Sequence, residues 1–394
     1  MSIPKDEKLL ELVTEKQAEY LRAYWEHGGY RPAARVLGVR HSVVQAAIRL
    51  ALASAARKGY APGHDMTHTV PDGYHVKGVS TYYNAEGQPT GQWVKTNVDH
   101  ERQLELLRAA VAALASEVTP APAVAPPAAT LGNLLNCYVI TDYHLGAKAW
   151  GEETGADWDT KIAENLLLAW FGAAIAQAPA ARVAVFAQLG DFLHFDGLAA
   201  LTPTHGHLLD ADTRFQKIIR VAISVIRRII GMLLLKHEVV HVLMAEGNHD
   251  LASSAWLREL FAALYADEPR VLVDTRPDPY YCVEHGATSL FFHHGHKRSP
   301  ANLETVLIAK FREVFGRTKH SYAHTGHLHH NVLRETNTMH IEQHRTLSAP
   351  DSHASRGGWN SGRDAKVITY HREYGEVGRL TVSAEMISDL ATSL

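Results

Sequence analysis

The 394-residue chain is too long for one small domain. It carries 39 Lys and Arg against 42 Asp and Glu, a formal net charge of -3, so affinity for nucleic acid has to come from a local basic patch. Its two cysteines, Cys137 and Cys282, lie in apolar strand-like runs without CxxC spacing, which excludes a disulfide scaffold and reads as reduced, buried thiols.

The first residues, MSIPKDEKLLELVTEK, lack the apolar core of a signal peptide. No run of about 18 apolar residues follows. The nearest, Ile218 to Leu235, is interrupted by Arg220, Arg227 and Arg228 and reads as a buried amphipathic helix. A cytoplasmic protein with no membrane partner is expected.

From Thr14 to Lys58 the pattern is helical. Within RPAARVLGVRHSVVQAAIRLA, Pro32 suits a first helical turn and Gly38 a sharp turn. Ser42 is a candidate cap for a helix carrying Val43, Val44, Ala47 and Ile48 inward. This resembles a DNA-binding helix-turn-helix with Val44 to Arg49 in the recognition helix. No acidic residue occurs from Gly28 to Lys58, whereas Arg31, Arg35, Arg40 and Arg49 form a basic stripe suited to phosphate contacts. A helical bundle for oligomerisation is the competing reading. VKGVSTYY and QWVKT around NAEGQPTG predict a hairpin, in which Tyr82, Tyr83 and Trp93 either stack on bases or form cross-strand pairs. Asp99 to Ser116 predicts another helix, and the Pro/Ala run from Thr119 to Thr130 an extended linker. The expected organisation is a DNA-binding region over 14–116, a linker over 117–131 and a catalytic region over 132–394.

Beyond the linker, short apolar runs end in Asp142, Asp191 and GNHD, with helical stretches between them, which argues an α/β fold with functional groups at strand ends. Five motifs follow in order: Asp142-Tyr-His144, Gly190-Asp191-Phe-Leu-His194, Gly247-Asn248-His249-Asp250, His293-His294-Gly295-His296 and Gly326-His327-Leu328-His329. Singly each is weak. Together, many of the chain's 26 histidines join carboxylates and an amide oxygen, a donor set that suits Mn, Fe, Zn or Ni and not a thiolate site.

The order DxH, GDxxH, GNHD, HGH, GHxH resembles the calcineurin-like metallophosphoesterase superfamily over about two hundred residues. The resemblance implies a double β-sheet sandwich flanked by helices, here preceded by a small helix-turn-helix domain with a β-hairpin. It implies two divalent metal ions, manganese first among the four. Asp142, His144, Asp191 and His329 would hold one ion, and Asp191, Asn248, His294 and His327 the other. Asp191 would bridge them, a shared hydroxide would be the nucleophile, and His249 would protonate the leaving oxygen. Asp250 either orients His249 or caps a helix.

His194 in GDxxH is similar to the histidine of double-strand-break repair nucleases that assists phosphodiester cleavage. The helices ahead of the catalytic region make the whole similar to phage-encoded phosphoesterases with a helix-turn-helix. The expectation is a DNA nuclease; the alternatives are a phosphomonoesterase acting on phosphoproteins or nucleotides, and a DNA-binding regulator with an inactive phosphoesterase fold. Two further segments stay open. The loop from Leu201 to Phe215 is a substrate-side insertion or a solvated connection. His340, Glu342 and His344 share one strand face, which is a further site or, more simply, a solvated sheet surface.

Overall fold

The computed structural model describes residues 3–62, 66, 69–70, 74–84, 89–98, 124–203, 206–358 and 360–387. The predicted helix over 99–116 and the first part of the Pro/Ala run, up to residue 123, lie outside them. The chain divides into two compact units, 1–113 and 114–394.

The first unit opens with four helices: α1 (Glu7–Glu11), α2 (Glu15–His27), α3 (Tyr30–Val36) and α4 (His41–Arg57). Thr14 starts α2 with a capping box: its hydroxyl accepts from the Gln17 amide, and the Gln17 side chain accepts from Thr14. Leu21, Tyr24, Ala33, Ala34, Val44, Ile48 and Ala51 form a small core. Between α3 and α4 the chain turns through 111° over four residues, with Gly38 at φ 66°. That turn falls in the range of about 90–120° usual for paired helices of the DNA-binding kind. Two expectations fail locally. Ser42 caps nothing, because α4 begins at His41 with Arg40 at the cap position and no side-chain cap bond. Val43 points outward at 43% exposure, because Val44 and Ile48 already take the inward face. The hairpin pairs β1 (Tyr74–Tyr83) with β2 (Pro89–Val98).

The second unit is a sandwich of a six-stranded and a five-stranded sheet. In the six-stranded sheet, β3 (Leu131–Ile140), β4 (Ala181–Gln188), β5 (Val239–Met244) and β6 (Val271–Val273) run parallel. β12 (Asp364–His371) and β13 (Gly375–Ser383) extend it antiparallel beyond β3. The five-stranded sheet has the order β10 (Val332–Glu335), β11 (His340–Gln343), β9 (His320–Thr325), β8 (Thr288–Phe292), β7 (Tyr281–His285). Leu135, Cys137, Val185 and Ile368 of the first sheet pack against Tyr281, Leu290 and Phe292 of the second. This is the α/β double-sheet arrangement that the motif order implied. Parallel strands buried on both faces carry the near-continuous apolar runs seen in the sequence.

The outer face of the larger sheet is covered by two helices, Thr160–Gln177 and Phe215–Lys236. The second carries Ile218, Ala222, Ile226, Ile229 and Leu233 inward at helical spacing, and its three arginines sit off that face. Among the described residues no single helix is long and apolar enough to cross a membrane. Cys137 is buried as expected, whereas Cys282 is only half-buried.

Trp170 is fully buried and donates its indole N–H to the Val382 carbonyl at 3.0 Å, joining the helical layer to β13. Trp170→Ala is expected to cost the second unit about 3–5 kcal/mol, read as a lower urea midpoint.

Candidate metal centre

The site is built where strands end. β3 delivers Asp142 and His144, β4 delivers Asp191, β5 delivers Asn248 and His249, β8 delivers His294, and β9 delivers His327 and His329. Parallel neighbours put these ends on one edge of the sandwich.

The backbone there is forced. Among the described residues, five non-glycine residues have φ in the left-handed region: Asp142 (51°), His144 (48°), Asp191 (51°), His327 (77°) and His329 (56°). Every one is a candidate ligand. A left-handed non-glycine residue costs of order 1–3 kcal/mol and persists only where its surroundings impose it. Glycines make the crowding possible. A Cβ on Gly326 would overlap the Thr141 hydroxyl and Asp142 Oδ2, and one on Gly247 would overlap the Asp191 carboxylate and amide.

The donors converge in two groups that face each other. His329 Nε2 lies 3.2 Å from Asp142 Oδ1 and 3.4 Å from His144 Nε2. His294 Nε2 lies 3.1 Å from Asp191 Oδ2, 3.3 Å from Asn248 Oδ1 and 3.9 Å from Asp142 Oδ1. His327 closes the second group with Asp191 and His294. Five of the seven candidate ligands, His144, Asp191, Asn248, His327 and His329, line one cleft of about 730 Å³ together with residues between Thr346 and Arg363, and Asp142 and His294 lie fully buried beside them.

The other oxygen of each carboxylate is spoken for. Asp142 Oδ2 accepts from the His327 amide at 2.8 Å and the Thr141 hydroxyl at 2.6 Å; Asp191 Oδ1 accepts from the His249 amide at 2.7 Å. His294 Nδ1 donates to the Leu189 carbonyl at 2.9 Å, which turns Nε2 into the cleft. Asp142 Oδ1 is buried without a hydrogen-bond donor, an orphaned acceptor surrounded by imidazole nitrogens. These residues fit a pair of divalent cations: an acceptor-only carboxylate floor, imidazoles around it, and no thiol.

Electrostatics point the same way. Burial would raise the Asp191 and Asp142 carboxyls, but the imidazoles of His294 and His329 outweigh it and hold both well below the ordinary range. Burial disfavours the His294 imidazolium, yet Asp191 and Asp142 push that group up to about 9, and His329 rises for the same reason beside Asp142. His144 and His327 are instead driven down, by burial first and then by neighbouring imidazoles. Protons on His294 and His329 occupy the place that cations would take.

Neighbouring motif residues separate by role. His249 Nδ1 donates to the His194 carbonyl at 2.8 Å, so its Nε2 is left for the cleft. The His194 ring is 2% exposed, and its Nδ1 sits 3.3 Å from His144 Nδ1, on the side away from His329. His144, His194 and His249 form a further convergent group of imidazole donors. Asp250 neither orients His249 nor caps the following helix. It accepts the amides of Gly247, Asp191, Phe192 and Leu193. Burial and the charge of Asp191 push its carboxyl up to about 7. No feature of the sequence distinguished these three uses of a polar residue beside a ligand.

His293 points away from the cleft and stacks on Tyr280 at 4.6 Å. His296 lies between His293 and His294 with both ring nitrogens lacking partners among the described residues, and His330 is exposed. In the Leu201–Phe215 loop, His205 is outside the described residues, while Asp212 accepts from the Thr160 amide and Asp210 from Ser352. The carboxylates of that loop brace structure.

The sheet face of His340, Glu342 and His344 is not solvated, since Glu342 and His344 are each 2% exposed. They form a buried cluster with His324. It does not suit a cation, because Lys366 Nζ at 2.5 Å and Arg379 at 2.9 Å already neutralise Glu342 Oε1. Burial would raise the Glu342 carboxyl, but His344 and Lys366 pull it to about 2.

In the first unit, Arg31, Arg35, Arg40 and Arg49 are all exposed, and none pairs with a carboxylate among the described residues.

No family model and no curated protein matches the chain. It is similar to solved structures. One is a conserved uncharacterized protein from Streptococcus pneumoniae TIGR4, described as a predicted phosphoesterase (11% identity, TM-score 0.28, 64% of this chain and 98% of that one). A second is an archaeal phosphodiesterase (12% identity, TM-score 0.32, 63% of this chain and 99% of that one). A third is a phosphopantetheinyl hydrolase from Mycobacterium tuberculosis (12% identity, TM-score 0.26, 58% of this chain and 94% of that one). With scores this low, the chemistry rests on the side-chain geometry.

Because His294 sits near 9 and His329 is raised, cation uptake at neutral pH has to displace protons. Titration with Mn²⁺ in buffers of different ionisation enthalpy is expected to show at least one proton released, with affinity climbing as pH rises toward 9. Zero release would contradict the arrangement. Gly326→Ala is expected to abolish tight Mn²⁺ binding while far-UV circular dichroism stays near wild type.

Proposed function

We propose that the chain is a metal-dependent phosphodiesterase directed at DNA. The observation that carries this is the convergence of seven oxygen and imidazole donors around Asp142 and Asp191, with His249 Nε2 left free at the same cleft. Asp142, His144 and His329 on one side and Asp191, Asn248, His294 and His327 on the other would hold divalent cations, which would supply Lewis acidity and lower the pKa of water at neutral pH.

The chain's own residues do the rest. Asp191 and Asp142 are fixed by backbone amides, so their free oxygens do not wander when charge develops. His249 is held in one tautomer by the His194 carbonyl, and as an imidazolium its Nε2 donates to the leaving oxygen. A poor leaving group such as a sugar alkoxide needs that proton. The wall from Thr346 to Arg363 limits the cleft to about 730 Å³, room for one phosphate and its flanking groups.

Direction toward DNA is supported by the first unit. The α3–α4 turn of 111° leaves His41, Ser42, Gln45 and Arg49 on the outward side of α4, with Arg31, Arg35 and Arg40 beside it. A second reading, hydrolysis of a small phosphomonoester, is favoured by the size of the cleft alone.

Purified protein with Mn²⁺ is expected to cleave DNA and bis-p-nitrophenyl phosphate, and to act poorly on p-nitrophenyl phosphate. Preference for the monoester would support the second reading. His249→Ala is expected to lower kcat for DNA about 10²–10⁴-fold, and much less for a diester with a p-nitrophenol leaving group, which needs no proton. Arg35→Ala and Arg49→Ala are each expected to weaken DNA binding and to flatten the salt dependence by about one unit of slope. Both should leave hydrolysis of the small diester untouched.

A further inference from the structure

The β1–β2 hairpin settles the choice between cross-strand aromatic pairs and open rings. Trp93 is 67% and Tyr82 66% exposed. In the register, Trp93 lies opposite Ser80 and Tyr82 opposite Gly91. Side chains alternate along a strand, so Ser80, Tyr82, Gly91, Trp93 and Lys95 share one face. Each ring thus faces a residue too small to cover it, and space beside Gly91 is open. A structural ribbon does the reverse and sets aromatics against β-branched or aromatic partners. Neither ring makes an aromatic contact among the described residues.

The opposite face is the one that packs. Val76 and Val79 border the same cavity as Ala53 and Ala56 of α4. The aromatic face is therefore free of the first unit's own core.

Charge narrows the occupant. Between Tyr74 and Val98 the sequence has a single carboxylate, Glu86, outside both strands, while Lys77, Lys95 and His75 lie in the strands. Two diagonal rings with lysine beside them offer a stacking platform and phosphate neutralisation together. Duplex DNA hides its bases from such a platform, and an apolar protein partner has no use for the lysines. Unpaired bases on a polyanionic backbone use both.

We propose that the Tyr82–Trp93 face of the hairpin is a binding surface for single-stranded nucleic acid. This deepens the reading of a DNA-directed enzyme and rests on it for the identity of the polymer. The full chain would therefore engage DNA where bases are unpaired, at ends, flaps or gaps.

The test uses full-length protein, a fluorescein-labelled oligo-dT and a labelled duplex of equal length, with anisotropy read at fixed salt. Oligo-dT is expected to bind more tightly than the duplex, and Trp93→Ala to weaken it about tenfold or more, as the loss of one stacked base implies. Tyr82→Ala should weaken it less, and Trp93→Phe should restore most of the affinity. Hydrolysis of bis-p-nitrophenyl phosphate should be unchanged in all three variants. An affinity for oligo-dT that stays within twofold in Trp93→Ala overturns the proposal. So does a change of oligomeric state in that variant with oligo-dT binding intact, which would assign the face to self-association. The two readings fail separately. Trp93-dependent binding without hydrolysis leaves the hairpin standing and removes the enzyme; hydrolysis without Trp93 dependence does the opposite.

Discussion

The second unit is organised around two carboxylates that cannot be left alone. Asp142 and Asp191 are each no more than 2% exposed. An ionised carboxylate out of water costs several kcal/mol unless it is compensated. Backbone amides take one oxygen of each, and imidazoles crowd the other. To bring those amides and rings within reach, the strand-end loops must fold back tightly. The left-handed residues Asp142, His144, Asp191, His327 and His329 are where that tightness shows. Strain at these points and charge at the floor are two sides of one arrangement. The compact loops are tolerable because the charge is strongly solvated by them, and the charge is tolerable because the loops are compact.

Much of this was legible in the sequence. Apolar runs ending in Asp142, Asp191 and GNHD marked parallel strands with a shared functional edge, since a parallel strand buried on both faces leaves little room for polar residues until it ends. Spacing within the motifs was equally telling, because short loops with glycine allow few backbone paths. The α3–α4 turn followed from Gly38, and Val44 and Ile48 take the inward face expected of them whereas Val43 does not. What escaped the sequence was direction. His194, Asp250, Glu342 and His344 are polar residues near a site or on a strand, and nothing in their neighbours says whether they face water, substrate or backbone. His194 turned inward because its ring fits behind His144. Asp250 turned inward because four amides from two loops needed one acceptor. Most of these pairings join residues fifty or more positions apart, and local pattern carries no trace of them.

The proposed function would divide the work between the two units by charge. The first unit carries exposed arginines on α3 and α4, without carboxylate partners among the described residues, and exposed rings on its hairpin. In the second, acidic oxygen lies at the bottom of a cleft. A polyanion is repelled by bare carboxylates, so a binding surface separate from them gives its backbone somewhere to be neutralised. The near-neutral net charge of the chain hides this polarity.

The ion cluster of buried Glu342 and Lys366 with the more exposed Arg379 spans both sheets, with one member on β11, one on β12 and one on β13. Losing Glu342 leaves the Lys366 ammonium in the interior without its carboxylate, and losing both cations leaves the Glu342 carboxylate there, whereas exchanging all three for apolar residues of similar volume leaves nothing stranded. Drift at these positions is therefore correlated. Homologues are expected to keep the trio or to have abandoned it together, and a designer stabilising the scaffold would have to treat three strands as a single site of replacement.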